Sequence, residues 1–187
     1  MTTTSTRPIT FEQYLTYDDS TDRRFEFDHG KLVEMPPATR LHNLVMMFLA
    51  FCLQTEIKNS HYAYCVSVNS TEIFNGCRTR RPDILVMTIA QSQSLGNQPD
   101  ILYSPCLLVV EVVSPTCRSV DTIEKRDEYA KFGIAEYWIV DFTLGIFSVL
   151  TLEDGVYIEK IYKQDELINS NLFPKISLTM NQVMQSV

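Results

Sequence analysis

The sequence predicts a mixed α/β fold in which one mixed β-sheet is flanked by helices. Residues 107–140 show an apolar strand, an amphipathic helix and a second apolar strand, which is typical of a parallel βαβ unit. Most other apolar segments occur in pairs around short turns, which is typical of antiparallel hairpins. At 187 residues the chain suits one core, so we expect a single domain over 1–187, with residues 1–9 flexible.

The first half of the chain is predicted to contain a short helix, a hairpin, a long helix and two strand segments. Their expected bounds are 11–17, 24–35, 41–57, 62–74 and 83–87. Thr10 is a favourable N-cap for the first helix. The hairpin alternates around the turn at His29-Gly30 and ends at Pro36-Pro37. The long helix repeats apolar residues at helical spacing.

The second half begins with a polar segment, 91–104, which predicts a surface loop or a short helix. A buried strand follows at 107–113, and Asp121 with Glu124 marks the start of a helix that ends near Gly133. The expected remainder is a strand at 136–140, a hairpin at 146–162 around Asp154-Gly155, and a strand and short helix at 176–187.

Composition excludes several classes of protein. The net charge of −7 argues against non-specific coating of nucleic acid, although it leaves room for a local basic groove. The five cysteines lack a C-x-x-C spacing, so neither a zinc knuckle nor a disulfide framework is indicated. With no apolar leader and no run approaching ~20 apolar residues, we expect a cytoplasmic protein without a membrane partner.

The strand around Glu111 points to chemistry because it places a carboxylate inside an apolar run. A buried, ionised carboxylate without a partner costs several kcal/mol, so such a group is normally paired or bound to a cation. Asp83 occupies a similar place at the start of a second apolar strand. If the two strands are neighbours in suitable register, both carboxylates converge, and oxygen ligands of this kind suit Mg²⁺ or Mn²⁺.

Lys125 is the third candidate for the same site. On the predicted helix it lies four residues before Tyr129 and seven before Phe132, so it shares a face with two aromatic groups that are expected to pack on the sheet. Its amine would then point toward the acids and orient a nucleophile or stabilise negative charge. The alternative is an exposed ion pair with Asp121, four residues earlier.

The chain carries, in order, Pro82-Asp83; Glu111-Val112-Val113-Ser114-Pro115; Asp121, Lys125 and Tyr129; and Gly133-Ile134-x-Glu136-Tyr137-Trp138-Ile139-Val140-Asp141. Together with the 26–35 hairpin, the Pro-Pro break and His42, these motifs resemble the Uma-two family of restriction endonucleases in the PD-(D/E)XK nuclease superfamily. The resemblance implies a restriction-endonuclease-like core, Mg²⁺-dependent DNA hydrolysis and a homodimer.

The resemblance also implies roles for individual residues. The metal ligands would be Asp83, Glu111 and the backbone carbonyl of Val112. The superfamily pattern places a lysine two residues after the acid, where this chain has Val113, so Lys125 is the expected catalytic substitute. Because that departure puts activity in question, a catalytically inactive binding or assembly module on the same fold stays an alternative.

Further residues have less support from the sequence. The candidate accessory residues are His42, Glu34 and Tyr129, although a capping role for His42 and a solvent-facing position for Glu34 are open alternatives. The candidate nucleic-acid contacts are Arg80, Arg81, Arg118 and Arg126. Solvated strand and helix ends would explain these arginines equally well. A metal-free hydrolase using Asp83 and Glu111 as acid and base is a third reading.

Overall fold

The structure, a computed structural model, describes residues 7–113 and 118–186. The helices are α1 (Phe11–Leu15), α2 (Arg40–Ser60), α3 (Ile89–Leu95), α4 (Lys125–Phe132), which a π-helical turn (Val120–Glu124) precedes, and α5 (Met180–Gln185). The strands are β1 (Phe25–Asp28), β2 (Lys31–Glu34), β3 (Tyr64–Val68), β4 (Glu72–Phe74), β5 (Thr79–Arg80), β6 (Ile84–Thr88), β7 (Ile101–Leu102), β8 (Leu108–Val112), β9 (Glu136–Asp141), β10 (Ile146–Glu153) and β11 (Val156–Lys163).

The centre of the fold is a six-stranded mixed sheet with the order β11-β10-β9-β8-β6-β3. β8 and β9 are parallel neighbours connected through α4, and the other pairs in this sheet are antiparallel. The predicted βαβ unit and mixed sheet are therefore confirmed. β8 lies in the interior of the sheet and all five of its residues are buried, as expected for a strand covered on both faces.

Helices cover the two faces of the sheet. The long helix α2 buries Val45, Leu49 and Leu53 against alternate residues of β6 and β8, including Val86 and Val110. On the other face, α4 contributes Tyr129 to a second core that contains Leu85 and Val109. Because side chains alternate across a strand, the same two strands supply both cores. The face of β8 that packs against α4 contains Val109 and, two residues further along, Glu111.

Two predicted regions differ from the structure. Segment 91–104 contains helix α3 and also a two-residue strand, β7, which pairs in parallel with β4 in a small sheet. A strand of two residues within polar sequence leaves no periodic signal. At the C-terminus helix α5 is confirmed, but the described part of 176–187 forms an isolated bridge between Leu167 and Thr179 where a strand was expected.

The helix that follows β8 does not begin at Asp121 as its capping pattern predicted. Ser119 already has helical backbone angles, and Asp121 lies inside the π-helical turn, where it is buried. Such turns occur often at functional sites because they shift the direction of side chains relative to a regular helix. Gly133, with a φ of 89°, ends α4 as predicted.

Some expectations lie outside the described residues. These are the Ser114-Pro115 end of the buried-strand motif, Cys117, Val187 and most of the flexible segment expected over 1–9. Within the described part of the chain, no helix is long and apolar enough to cross a membrane.

Glu136 ties the C-terminal segment to the sheet. Its buried carboxylate accepts hydrogen bonds from Trp138 Nε1 at 2.6 Å, Ser170 Oγ at 2.6 Å and the Asn171 backbone N at 3.0 Å. A carboxylate that satisfies several buried donors is costly to remove, since each donor is left without an acceptor.

We therefore expect Glu136→Ala to lower the free energy of unfolding by about 3 kcal/mol. Urea unfolding monitored by tryptophan fluorescence and circular dichroism measures this loss. Glu159→Ala, which removes a carboxylate paired with Arg126 at the surface, is the matched control and should cost less than about 1 kcal/mol. Equal losses in the two variants would show that Glu136 does not anchor the C-terminal segment.

Candidate active site

Asp83 and Glu111 are brought together by the pairing of β6 with β8. The antiparallel register places Ile84 opposite Val110 and Leu85 opposite Val109, so its continuation places Asp83 opposite Glu111. Directly opposed residues of antiparallel strands project from the same face with neighbouring side chains. The backbone N–H of Val112 also donates to Asp83 Oδ2 at 2.7 Å, which ties the start of one strand to the other.

Glu111 is the deeper of the two acids, with 3% of its surface exposed. Tyr129 donates its hydroxyl to Glu111 Oε1 at 2.9 Å, and Lys125 Nζ lies 2.8 Å from Glu111 Oε2. Both partners come from α4, which packs over the face of β8 that carries Glu111. The expectation that Lys125 and Tyr129 share a sheet-facing side of the helix therefore agrees with their positions.

Lys125 also lies 2.9 Å from Asp121 Oδ1, so its amine bridges two carboxylates. Lys125 and Asp121 are both buried, which distinguishes this contact from the exposed pair considered as the alternative. The sequence located Asp121 four residues before Lys125 but gave no sign of its burial. Asp121 lies buried within the π-helical turn, a backbone form that no local sequence motif indicated.

Burial is the largest influence on the pKa values in this cluster, followed by the attraction between Lys125 and the acids. Burial, together with the negative charges of Asp121 and Asp83, raises the pKa of Glu111 to about 8 against the opposing effect of Lys125. Burial also raises the pKa of Asp121. For Lys125, burial acts to lower the pKa, but Glu111 and Asp121 raise it well above its ordinary value. The lysine thus stays charged while two acids compete for it.

His42 reaches Asp83 from the opposite side of the sheet. Its ring lies in the first turn of α2, with Nε2 2.9 Å from Asp83 Oδ1. Burial lowers the pKa of His42, but the hydrogen bond to Asp83 and its negative charge raise it overall. The capping contact at this helix start is made by Thr39, whose hydroxyl accepts from the His42 backbone N. The imidazole is therefore directed to Asp83, and the capping role that the sequence left open belongs to Thr39.

Glu34 does not lie in the acid cluster. It ends β2, and its carboxylate is 3.5 Å from Arg23 Nη1. The structure instead places Glu26, on the paired strand β1, near the site. Glu26 accepts from Arg80 Nη1 at 2.9 Å and from the Arg81 backbone N at 2.9 Å. Its negative charge also helps to raise the pKa of Lys125, after the larger effects of Glu111 and Asp121. In the sequence, the one indication that Glu26 lies near the interior was its position between Phe25 and Phe27.

Arg80 is buried, contrary to what a direct contact with DNA requires. Its Nε lies 2.7 Å from Glu128 Oε2, and its Nη1 reaches Glu26. Burial lowers the pKa of Arg80, but Glu128 and Glu26 more than offset this and raise it. A guanidinium whose donors are occupied by two carboxylates is a structural cation. The prediction that Arg80 binds nucleic acid therefore conflicts with its position.

The other three predicted arginine contacts also have carboxylate partners. These ion pairs are Arg81 with Glu72, Arg118 with Asp141 at 2.5 Å and Arg126 with Glu159 at 2.7 Å. They retain partial exposure, unlike Arg80. The sequence indicated a concentration of positive charge beside the acids, but it could not show that folding brings a negative partner to each of these side chains. A phosphate would have to compete with those partners.

The donor set is compatible with a hard divalent cation. In an extended strand the amide and carbonyl of one residue point to the same side, so the Val112 carbonyl is directed to the β6 side of β8, as the Val112 amide is. Two carboxylates and one carbonyl suit Mg²⁺ or Mn²⁺, which keep several waters. Over 7–113 and 118–186, no group of three or more His, Cys, Asp or Glu side chains could hold a metal ion, so an all-side-chain cage is absent there.

Comparisons with known proteins agree with this fold. A family model described as "Uma2: Putative restriction endonuclease" matches residues 11–181. A relative described as "Uncharacterized protein sll1609", from Synechocystis sp., is 24% identical over 142 residues, which cover 75% of this chain and 79% of that protein.

Among solved structures, one described as "a putative nuclease belonging to DUF820 from Anabaena variabilis" has a TM-score of 0.79 and 16% identity, covering 96% of this chain and 99% of that one. At this identity the match shows a shared fold.

The raised pKa of Glu111 predicts that stability depends on pH. A carboxylate whose folded-state pKa of about 8 exceeds its ordinary value of 4.5 stabilises the fold fully below the lower value. That contribution is lost as pH rises toward 8. In metal-free buffer, the urea midpoint of the wild type should fall between about pH 5 and pH 8, whereas Glu111→Gln should show a flatter profile. Parallel profiles would contradict the raised pKa of Glu111.

Proposed function

Because the chain belongs to the Uma2 family, described as "Putative restriction endonuclease", we propose that it is a metal-dependent endonuclease that hydrolyses DNA phosphodiester bonds. The observation that carries this proposal is the convergence of Asp83, Glu111 and Lys125 at neighbouring positions of β6, β8 and α4. Two carboxylates beside a buried ammonium form an arrangement suited to binding a cation and a negatively charged phosphate together.

Asp83, Glu111 and the Val112 carbonyl would hold Mg²⁺ or Mn²⁺. Bound there, the ion would supply a water of lowered pKa and neutralise charge that develops on the phosphate. The chain itself fixes the carboxylates in position. Asp83 is held through Oδ1 by His42 and through Oδ2 by the Val112 amide, and Glu111 Oε1 is held by Tyr129. Such supporting hydrogen bonds orient ligands before the ion binds.

Lys125 would position the nucleophile or the substrate. An ammonium has three N–H donors, and two of them serve Glu111 and Asp121 in the structure. The third is available for a water or a phosphate oxygen. Lys125 thus acts as a substitute for the lysine that the superfamily pattern places on the strand, where this chain has Val113. Asp121, which sequence reasoning considered only as a surface partner, orients the amine from its other side.

A non-catalytic binding module is the second candidate function. The observation that favours it is the pairing of all four predicted DNA-contacting arginines with carboxylates, in a chain whose net charge is −7. Weak electrostatic attraction for DNA is then expected. A protein of this second kind would not cleave DNA with any divalent ion. Its DNA binding would not depend on Lys125.

The nuclease proposal predicts cleavage of plasmid DNA by the purified protein with Mg²⁺ or Mn²⁺ and its loss with a chelator. Asp83→Asn, Glu111→Gln and Lys125→Met should each lower the rate by at least about 100-fold, because each removes a ligand or the positioning cation. Glu153→Gln, at the exposed end of β10, is the control and should cleave as the wild type does. Cleavage that survives all three substitutions would contradict the proposal.

His42 should support metal binding through Asp83. We expect His42→Ala to weaken Mn²⁺ binding, measured by titration calorimetry, by about tenfold or more, as is usual when a supporting partner of a ligand is lost. His42→Asn, whose amide can still donate to Asp83, should recover part of the affinity. If neither variant changes the affinity, the imidazole does not orient the carboxylate.

A further inference from the structure

A polar pocket of about 370 Å³ lies beside the candidate active site. Its lining includes Tyr14, Tyr17, Arg23, Arg24, Phe25 and Arg81, and we refer to it as the Arg24 pocket. The segment that precedes β1, the end of α1 and the residue before Pro82 meet here. A cavity of this size accommodates one unit of a small polymeric or drug-sized ligand.

The Arg24 pocket is joined to Asp83 through Asn69. The Asn69 backbone N donates to the Asp83 carbonyl at 2.8 Å, and Arg24 Nη1 donates to the Asn69 carbonyl at 3.3 Å. Arg81, in the pocket wall, is separated from Asp83 only by Pro82. A strand whose phosphate reaches Asp83 would therefore pass close to this pocket.

Arg24 has a different kind of partner from the arginines that the sequence predicted as DNA contacts, which all pair with carboxylates. Arg24 is exposed, and its described hydrogen bond goes to a neutral carbonyl and not to a carboxylate. Next to it, Arg23 lies 2.6 Å from Asp19. Arg81 pairs with Glu72, yet its Nε is a buried donor without a hydrogen-bond partner among the described residues. The exposed guanidinium of Arg24 can donate to a phosphate oxygen supplied by a ligand.

The lining carries three arginines, Glu72 and the exposed Asp100. Arg23 and Arg81 are paired with carboxylates, so an anion at this pocket would depend on Arg24. Glu72 is already used, since it accepts the Tyr14 hydroxyl at 2.6 Å as well as pairing with Arg81. The burial of Tyr14 and the charge of Glu72 raise the pKa of the Tyr14 hydroxyl, which therefore stays protonated as a donor. Arg24 consequently faces the pocket as a cation without a local carboxylate partner among its described contacts.

An aromatic surface accompanies this charge. Tyr17 is 41% exposed, and its ring packs edge-on against Phe25, with 5.6 Å between the ring centroids. The Arg23 guanidinium lies over the Phe25 ring, 5.5 Å from its centroid. An exposed tyrosine ring held by aromatic and cationic neighbours is a suitable platform for an unpaired base.

We propose that the Arg24 pocket binds one nucleotide of the strand that enters the active site, with its phosphate at Arg24 and its unstacked base on Tyr17. The inference rests on the proposed nuclease function, which it deepens by naming a binding position outside the metal ligands. It also requires that the strand be unpaired at this nucleotide, since a base within a duplex cannot stack on a protein ring.

Binding of a short fluorescein-labelled single-stranded DNA in chelator tests the proposal without cleavage, and a gel confirms that the probe stays intact. Arg24→Ala should weaken binding about tenfold and reduce the slope of log affinity against log salt by about 0.7, the loss of one phosphate contact. Tyr17→Ala should weaken it about tenfold with an unchanged slope. Both residues are exposed, so both variants should keep the wild-type circular dichroism and melting temperature.

Lys160→Ala is the matched control because it removes one positive charge from β11, at the far edge of the sheet. It should leave affinity within about twofold of the wild type. A blunt duplex probe should respond to Arg24→Ala but not to Tyr17→Ala. Equal effects of Arg24→Ala and Lys160→Ala, or no effect of Tyr17→Ala on the single strand, would overturn the proposal.

The two proposals fail separately. If the protein cleaves DNA through Asp83 and Glu111 but Arg24→Ala and Tyr17→Ala bind the single strand as the wild type does, the pocket assignment falls and the nuclease proposal stands. If both substitutions weaken binding as expected but no divalent ion supports cleavage, the pocket stands as a nucleic-acid site and the nuclease proposal falls.

Discussion

The candidate site depends on the burial of Glu111 in the central strand β8 opposite Asp83. Burial of one carboxylate beside a second is unfavourable, and the chain compensates with an ammonium from α4 and a hydroxyl from the next turn of the same helix. Burial raises the pKa of Glu111 to about 8, with smaller contributions from the charges of Asp121 and Asp83 and against the opposing effect of Lys125. A divalent cation between Glu111 and Asp83 would offset the cost of burying their negative charge.

Much of the scaffold could be predicted from the sequence, because its strands are short apolar runs bounded by turns and α2 repeats apolar residues at helical spacing. The face of β8 that carries Glu111 followed from strand alternation. The spacing of Lys125 to Tyr129 was consistent with an inward amine, but it left an exposed pair with Asp121 as an alternative. The π-helical turn was not predictable in this way. It carries Asp121 into the interior, although local sequence indicates an ordinary helix start with an exposed acid.

The pairing of charges was the least predictable feature, since it depends on which elements fold against one another. Arg80 meets Glu26 from the β1 strand and Glu128 from α4, so residues far apart in sequence cancel its charge. A run of arginines near a catalytic acid is therefore a poor guide to where nucleic acid binds. Arg24 is not part of any motif that the sequence analysis singled out. Its positive charge is less neutralised, because its described partner is the uncharged carbonyl of Asn69.

The central claim is that Asp83 and Glu111 share one divalent cation, and a crystal soaked in Mn²⁺ tests it most directly by anomalous diffraction. The account predicts one anomalous peak within about 2.2 Å of an oxygen of each carboxylate, with Lys125 Nζ still beside Glu111. A peak bound elsewhere, or two carboxylates that keep their contacts to His42 and Lys125 with no ion between them, would contradict it.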